Sequence, residues 1–252
     1  MIYYFSGTGN SLYVARHLAD ELGERLCPMT LSLPLREDLE GSVGLVFPVY
    51  GWGIPNVVEK AAPLLLPRGG ETYIYAVMTC GDDMGYTDKV LEKALGRKLD
   101  AAFSVLMPDV YVCLPGFDVD SKEECREKFQ KEEIAVKEIA NCIKERKQVR
   151  QLKRGPFPWT KTYILRPLFN RYLLTDKYFN VDASKCISCG RCQKNCPVGN
   201  ILLVDERPQW QSHCAGCLAC YHACPYHAIN FGNQTQKKGQ YNLLKMKNEG
   251  CE

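Results

Sequence analysis

Ile2-Tyr3-Tyr4-Phe5-Ser6-Gly7-Thr8-Gly9-Asn10-Ser11 opens the chain with a β-favouring run that passes at once into a loop of glycines and hydroxyls. After it Leu12, Ala15, Leu18, Ala19 and Leu22 recur at helical spacing, so the stretch reads as strand, tight loop, helix. The unit repeats along the chain. Residues 43–50 form an apolar strand that ends in a loop, with a helix from about Asn56. Residues 72–78 form a third strand, followed by the loop 79–85 and a helix to about Leu95, and 102–107 form a fourth. A weaker strand lies near 25–29, and 121–147 reads as a long helix with Cys125, Phe129, Val136, Ile139 and Ile143 on one stripe. Near-continuous apolar strands alternating with helices imply an α/β domain with a doubly wound parallel sheet covered on both faces. In such sheets ligands lie beyond the carboxyl ends of the strands. The loops 6–11, 48–55 and 79–86 all leave strands toward helices, so they converge on that edge.

The 252 residues suffice for one large domain and a small one. Thirty-two basic against 29 acidic residues give a net charge of +3, which argues against a general nucleic-acid coat. The first strand begins at Ile2 with no basic and apolar leader before it, and no apolar run approaches a membrane span. The expectation is a cytoplasmic protein not associated with membranes, in which clustered cysteines are metal ligands rather than disulfides.

Of 14 cysteines, eight fall between Cys186 and Cys224. They form two Cys-x-x-Cys-x-x-Cys-x-x-x-Cys-Pro runs, Cys186, Cys189, Cys192, Cys196 and Cys214, Cys217, Cys220, Cys224, repeated at an offset of 28 residues. Three cysteines spaced by three wrap three corners of a 4Fe–4S cubane, and the fourth, before a proline that redirects the chain, reaches the other cluster. Cys186, Cys189, Cys192 and Cys224 are therefore expected to hold one cluster, and Cys214, Cys217, Cys220 and Cys196 a second. Cys-x-x-Cys pairs also serve zinc, but this run is not a ribbon pattern. Cys27, Cys80, Cys113, Cys125, Cys142 and Cys251 are scattered, and most read as small apolar fillers.

The loop Ser6, Gly7, Thr8, Gly9, Asn10, Ser11 lacks the lysine of a nucleotide P-loop and the third glycine of a dinucleotide fingerprint. It offers hydroxyls, backbone N–H groups and a helix N-terminus, which together bind a phosphate without a cationic side chain. In this pattern the N-terminal domain resembles flavodoxin. The resemblance implies FMN, with its phosphate on that loop. It also implies that the segment Pro48-Val49-Tyr50-Gly51-Trp52-Gly53-Ile54-Pro55 covers one face of the flavin ring, and Thr79-Cys80-Gly81-Asp82-Asp83-Met84-Gly85-Tyr86 the other. Trp52 (or Tyr50) and Tyr86 are then the stacking candidates, and Gly51 and Gly53 permit a peptide flip; the alternative is that these aromatics cap the sheet edge. Flavodoxins are usually strongly acidic, and this domain is not.

The whole arrangement resembles the flavodoxin-fused, two-cluster ferredoxins of anaerobic bacteria. It implies a flavodoxin-like FMN domain over 1–147, a linker over 148–180, a small α+β bacterial ferredoxin-like domain over 181–232 and a loose polar tail over 233–252. Between 144 and 177 ten Lys and Arg face only Glu145 and Asp176, interleaved with Phe157, Trp159, Tyr163, Phe169 and Tyr172. The favoured reading wedges the aromatics between the domains and leaves the cations in water; the other is a docking face for an acidic partner or an anionic membrane. The function expected is electron relay between two 4Fe–4S clusters and FMN, and on to redox proteins that act as low-potential donor or acceptor. The alternatives are a flavin-dependent reductase fed by the clusters and an iron–sulfur redox sensor.

Overall fold

A computed structural model describes residues 1–29, 41–65 and 72–243 of the chain. The N-terminal part alternates β1 (Ile2–Tyr4), α1 (Asn10–Leu22), β2 (Leu26–Pro28), β3 (Ser42–Pro48), α2 (Asn56–Ala61), β4 (Tyr73–Cys80), α3 (Thr87–Leu95), β5 (Ala101–Leu106), α4 (Lys122–Lys144) and β6 (Arg150–Gln151). The strands lie in the order β2-β1-β3-β4-β5-β6, and every pairing is parallel. The first five strands follow the flavodoxin-like order 2-1-3-4-5, with its switch point between β1 and β3.

Alternate residues of the central strands point to opposite faces, which builds two cores. On one side Ile2, Val46, Val77 and Phe103 pack under α1 and α4 through Val14, Leu18, Val136 and Ile139. On the other Tyr3, Phe47, Ala76 and Met78 pack under α2 and α3 through Val58, Ala61, Leu91 and Leu95. Burying each of the larger side chains contributes about 1.5–3 kcal/mol. The helix α4 starts at a capping box: Glu124 donates its backbone N–H to Ser121 Oγ at 3.2 Å, and Ser121 N–H donates to Glu124 Oε2 at 2.9 Å.

The strand β6 falls beyond the boundary expected at 147, so the sheet takes its last edge strand from the segment read as linker. That segment then runs as α5 (Pro158–Thr160), a π turn at Lys161–Leu165 and α6 (Arg166–Tyr172). Its side chains depart from the favoured expectation chiefly in the aromatics. Phe157 is 78% exposed, Trp159 58% and Tyr172 53%. Three cations are held by carboxylates of the sheet domain: Arg154 grips Asp88 at 2.8 and 2.9 Å, Arg150 meets Glu92 at 2.6 Å, and Lys161 pairs with Asp83. Lys144, Arg146, Lys147, Lys153, Arg171 and Lys177 are exposed as expected.

The C-terminal module comprises β7 (Phe179–Val181), α7 (Arg191–Lys194), β8 (Ile201–Val204), β9 (Arg207–Trp210), α8 (Ala219–Ala223) and β10 (Ile229–Phe231). It holds two antiparallel pairs, β7 with β10 and β8 with β9. Two-stranded sheets are marginal alone, and the module's apolar core includes the cysteines Cys192 and Cys220 themselves. Among the described residues no helix is long and apolar enough to cross a membrane.

The tail is not loose where it is described. Lys238 donates from Nζ to the carbonyls of Val112 and Leu114 at 2.7 and 2.6 Å, and Tyr241 is buried with its hydroxyl 2.6 Å from Asn10 Oδ1. A polar composition concealed this, because lysine and tyrosine act here as donors to loop carbonyls and amides. Tyr241→Phe is expected to cost about 1 kcal/mol by leaving the Asn10 oxygen without its donor, measured as a lowered midpoint of thermal unfolding. The remaining residues of the expected tail, 244–252 with Cys251, lie outside the described residues.

Candidate functional site

The carboxyl edge of the sheet opens into a cavity of about 390 Å³, within the range of cofactor sites. Its walls contain Ser6, Gly7, Thr8, Asn10 and Ser11 from the β1–α1 loop, Pro48, Tyr50, Gly51 and Trp52 from the loop after β3, and Thr79, Cys80, Gly81 and Asp82 from the loop after β4. Three residues expected at this site are not among its walls. Gly9 lies at the entry to α1 with φ 105°, a conformation that glycine alone adopts cheaply, and faces a neighbouring depression. Gly53 bridges back to Tyr50 and lies under Arg166. Tyr86 turns away because Arg154 stacks on its ring at 4.7 Å and Tyr163 lies 6.2 Å from it. The Tyr86 ring is therefore not a stacking partner in this cavity, whereas Trp52 and Tyr50 line it.

Two further sets of walls had not been expected. Met107, Pro108, Asp109, Val110 and Tyr111 come from the loop after β5, and Lys161, Phe169 and Leu174 come from the linker. The first set had a signal, since that loop also leaves a carboxyl end of the same sheet. The linker set had none, because it depends on contacts with residues about 80–110 positions away. Thr162 illustrates them: its hydroxyl accepts from Tyr86 N–H at 2.8 Å and donates to Trp52 O at 3.1 Å, joining two of the cavity loops.

The residues present fit a phosphorylated flavin. Ser6 Oγ, Tyr111 Oη and Asp83 Oδ1 are buried at this cavity without a hydrogen-bond partner, an arrangement that a polar ligand satisfies. The helix α1 has no side-chain cap, so its first N–H groups are free to meet an anion. Asn10 and Ser11 do different work. Asn10 donates to Pro108 O at 2.9 Å and accepts from Tyr241, and Ser11 shares a hydrogen bond of 2.7 Å with Thr79. They hold the loop in shape.

The cavity's remaining wall is Gly216, Cys217 and Leu218 of the cysteine module. Gly7 lies so close to this segment that a Cβ added there would come 2.6 Å from Cys217 Cβ. Burial pushes the Tyr50 hydroxyl well above its ordinary pKa, and the Cys217 and Cys214 thiols beside it add to the shift. His222 Nε2 lies 2.9 Å from Val110 O, and Ala215 is buried in the core formed with α2 and α3. Desolvation pulls His222 down to about 4, so it serves as a neutral strut between the modules.

The structure brings cysteines of the two repeats together. A small cavity is lined by Cys186, Cys189, Cys192 and Cys224 together. Burial pushes the Cys217 thiol up to about 12, with Cys214 and Cys196 adding to it, and Cys220 is raised by burial and then by Cys217, Cys214 and Cys196. Such crowding of thiols is relieved by positive metal. Among the described residues no three side chains gather tightly enough to hold a single metal ion. Each cysteine of a cubane binds a different iron, so its ligands stand farther apart than those of zinc. The internal repeat extends to the backbone: Asn200 N–H donates to Cys196 Sγ and Ala228 N–H to Cys224 Sγ, each at 3.2 Å and each four residues past its cysteine. Hydrogen bonds of this kind tune a cluster's potential. Cys80, Cys113 and Cys125 are buried, as fillers would be, and Cys80 also lines the cavity.

Comparison with known proteins gives the C-terminal module its class. The model of a 4Fe–4S dicluster domain matches residues 178–225. An uncharacterized ferredoxin of Methanocaldococcus jannaschii is 39% identical over 54 residues, covering 19% of this chain and 70% of that protein. The putative electron transport protein YccM of Escherichia coli K12 is 42% identical over 45 residues, and the match spans 18% of this chain but 12% of that relative's length. A solved flavodoxin from Streptococcus pneumonia TIGR4 aligns over 56% of this chain and 96% of its own, with 17% identity and a TM-score of 0.36. The dicluster match and the ferredoxin relative give the C-terminal module an electron-transfer role. Through its C-terminal module the chain belongs to the ferredoxins, and that module is joined to an N-terminal domain whose sheet has flavodoxin-like order.

Proposed function

We propose that the chain relays electrons between redox partner proteins through two 4Fe–4S clusters and one FMN held in fixed sequence. When bound, FMN exchanges electrons in pairs or singly, which matches a pair carrier to one-electron clusters. The observation that carries this reading is the shared wall: Cys217, a ligand of one cluster set, lines the cavity whose loops suit FMN. Electron transfer falls off steeply with distance, so a ligand in the cavity wall favours rapid exchange.

The two cluster sets differ in their surroundings, which gives the relay a direction in space. Cys214, Cys217, Cys220 and Cys196 stand on the flavin side. The other set includes the exposed Cys189 and is flanked by the exposed side chains Ile187 and Tyr226. A partner meeting the ferredoxin end would exchange with this outer cluster first. A substrate-reducing flavin site needs an open polar pocket near Asp82 and Asp83. Asp82 is exposed, but Asp83 is buried beneath Lys161, which favours the relay.

Anaerobic purification with iron, acid-labile sulfide and FMN quantified per chain tests the reading. Two clusters' worth of iron and one FMN are expected. Full iron loading with no FMN bound, even after incubation with excess FMN, would refute the relay and leave a ferredoxin alone.

A further inference from the structure

Among the described residues lining the cavity, three are carboxylates, Asp82, Asp83 and Asp109, and one is a cation, Lys161. This lysine belongs to the linker and not to any of the three loops that the flavodoxin-like sheet was expected to supply. Its ammonium donates to Asp83 Oδ2 and stands 5.6 Å from the centre of the Trp52 ring. Its side chain is 19% exposed and that of Asp83 only 3%. The other oxygen of Asp83 is buried without a partner. The pair therefore belongs to the walls formed by the loops after β3 and β4 and not to the β1–α1 loop that suits the phosphate.

We propose that Lys161 is a flavin-tuning residue, delivered by the linker to the ring end of the FMN site to favour the reduced state. The inference rests on the flavin reading above. Reduction adds negative charge at the ring, so a cation held beside it favours reduced over oxidised FMN and a carboxylate opposes it. Lys153 pairs with Asp82 at 3.4 Å and Lys128 donates to Gly81 O at 2.8 Å from outside the walls, so removing Lys161 takes away the ammonium that lines the cavity itself and biases the site toward the oxidised state. Asp83 sets where the ammonium stands, and Trp52 gives it a π face. Through this contact the segment joining the two modules also sets the driving force between them.

The test is the ratio of dissociation constants for oxidised and reduced FMN, obtained from the midpoint potential of the bound flavin in dye-referenced anaerobic titrations. Lys161→Gln is expected to shift the ratio about tenfold toward oxidised FMN, Asp83→Asn to shift it toward reduced FMN, and Lys161→Arg to leave it within about twofold of the parent. Either of the first two variants suffices, so one that fails to fold does not remove the test. Unchanged ratios in a folded Lys161→Gln or Asp83→Asn variant that binds FMN at the parent's stoichiometry would overturn the proposal. A parent chain that binds no FMN would overturn the flavin reading itself, a different result from FMN bound with an indifferent Lys161.

Discussion

Replacing Cys192 and Cys224 together by serine is expected to remove no more iron than replacing Cys224 alone, about half of the total, because both serve one cluster. Replacing Cys192 and Cys196 together, two residues of a single repeat, is expected to remove nearly all of it. The reasoning is geometric. Cys192 lines a small cavity with Cys224 and not with Cys196, while Cys196 is an electrostatic neighbour of Cys214, Cys217 and Cys220. The loss should extend beyond metal content. The module has two small antiparallel pairs and an apolar core that counts its own ligands among its members. With both clusters gone its native signal in near-ultraviolet circular dichroism should disappear, because metal binding supplies much of its folding free energy. Iron and sulfide analysis of the two double variants decides the matter. The reverse outcome, half lost with Cys192 and Cys196 and all lost with Cys192 and Cys224, would mean that each repeat holds its own cluster.

The second large effect is expected at Gly7. A methyl group there meets Cys217 Cβ at 2.6 Å, Tyr50 Oη at 2.9 Å and Cys217 O at 3.1 Å. Neither the loop after β1 nor the cluster-ligand loop can yield without moving a wall of the cavity. Overpacking of this kind costs about 2 kcal/mol of stability, and because the loops relieve it by moving the cavity walls, Gly7→Ala should bind FMN more weakly, by up to roughly thirtyfold. The iron content should stay at the parent level, since Gly7 ligates nothing. Fluorescence titration of FMN into the deflavinated chain, alongside iron analysis, measures both. Unaltered FMN affinity would show that the two loops are not in contact in the loaded protein.

Features whose chemistry depends on neighbours in sequence were legible from the chain alone. The cysteine spacing and its repeat are of this kind, as are the Ser6–Ser11 loop between a strand and a helix and the alternation that gives the parallel sheet. Features set by distant partners were not. The ring of Tyr86 is drawn away from the cavity by Arg154 and Tyr163, more than sixty residues further on. Arg150, Arg154 and Lys161 read as solvated because their carboxylate partners lie on α3 and on the loop after β4. The linker's aromatics read as a wedge between the domains, yet Phe157, Trp159 and Tyr172 are exposed, and Phe169 packs on the N-terminal side, against Gly51 and 5.6 Å from Tyr111. The strand β6 has two residues, too few for any periodicity to declare itself. Lys238 and Tyr241 belong to a polar tail by composition, and only the carbonyls of the loop after β5 and the Asn10 amide reveal them as a strap.

Electron transfer between the proposed clusters and flavin within one chain is open to direct measurement. Flash photoreduction of the anaerobic, fully loaded protein tests it most directly, with cluster and flavin absorbance followed together over a range of protein concentrations. The proposed relay requires that flavin reduction follow cluster reduction with a first-order rate independent of protein concentration. It requires further that this rate fall in Gly7→Ala saturated with FMN, in which the shared wall is disturbed. A flavin reduction rate that rises in proportion to protein concentration would contradict the account, because the electrons would then be passing between molecules.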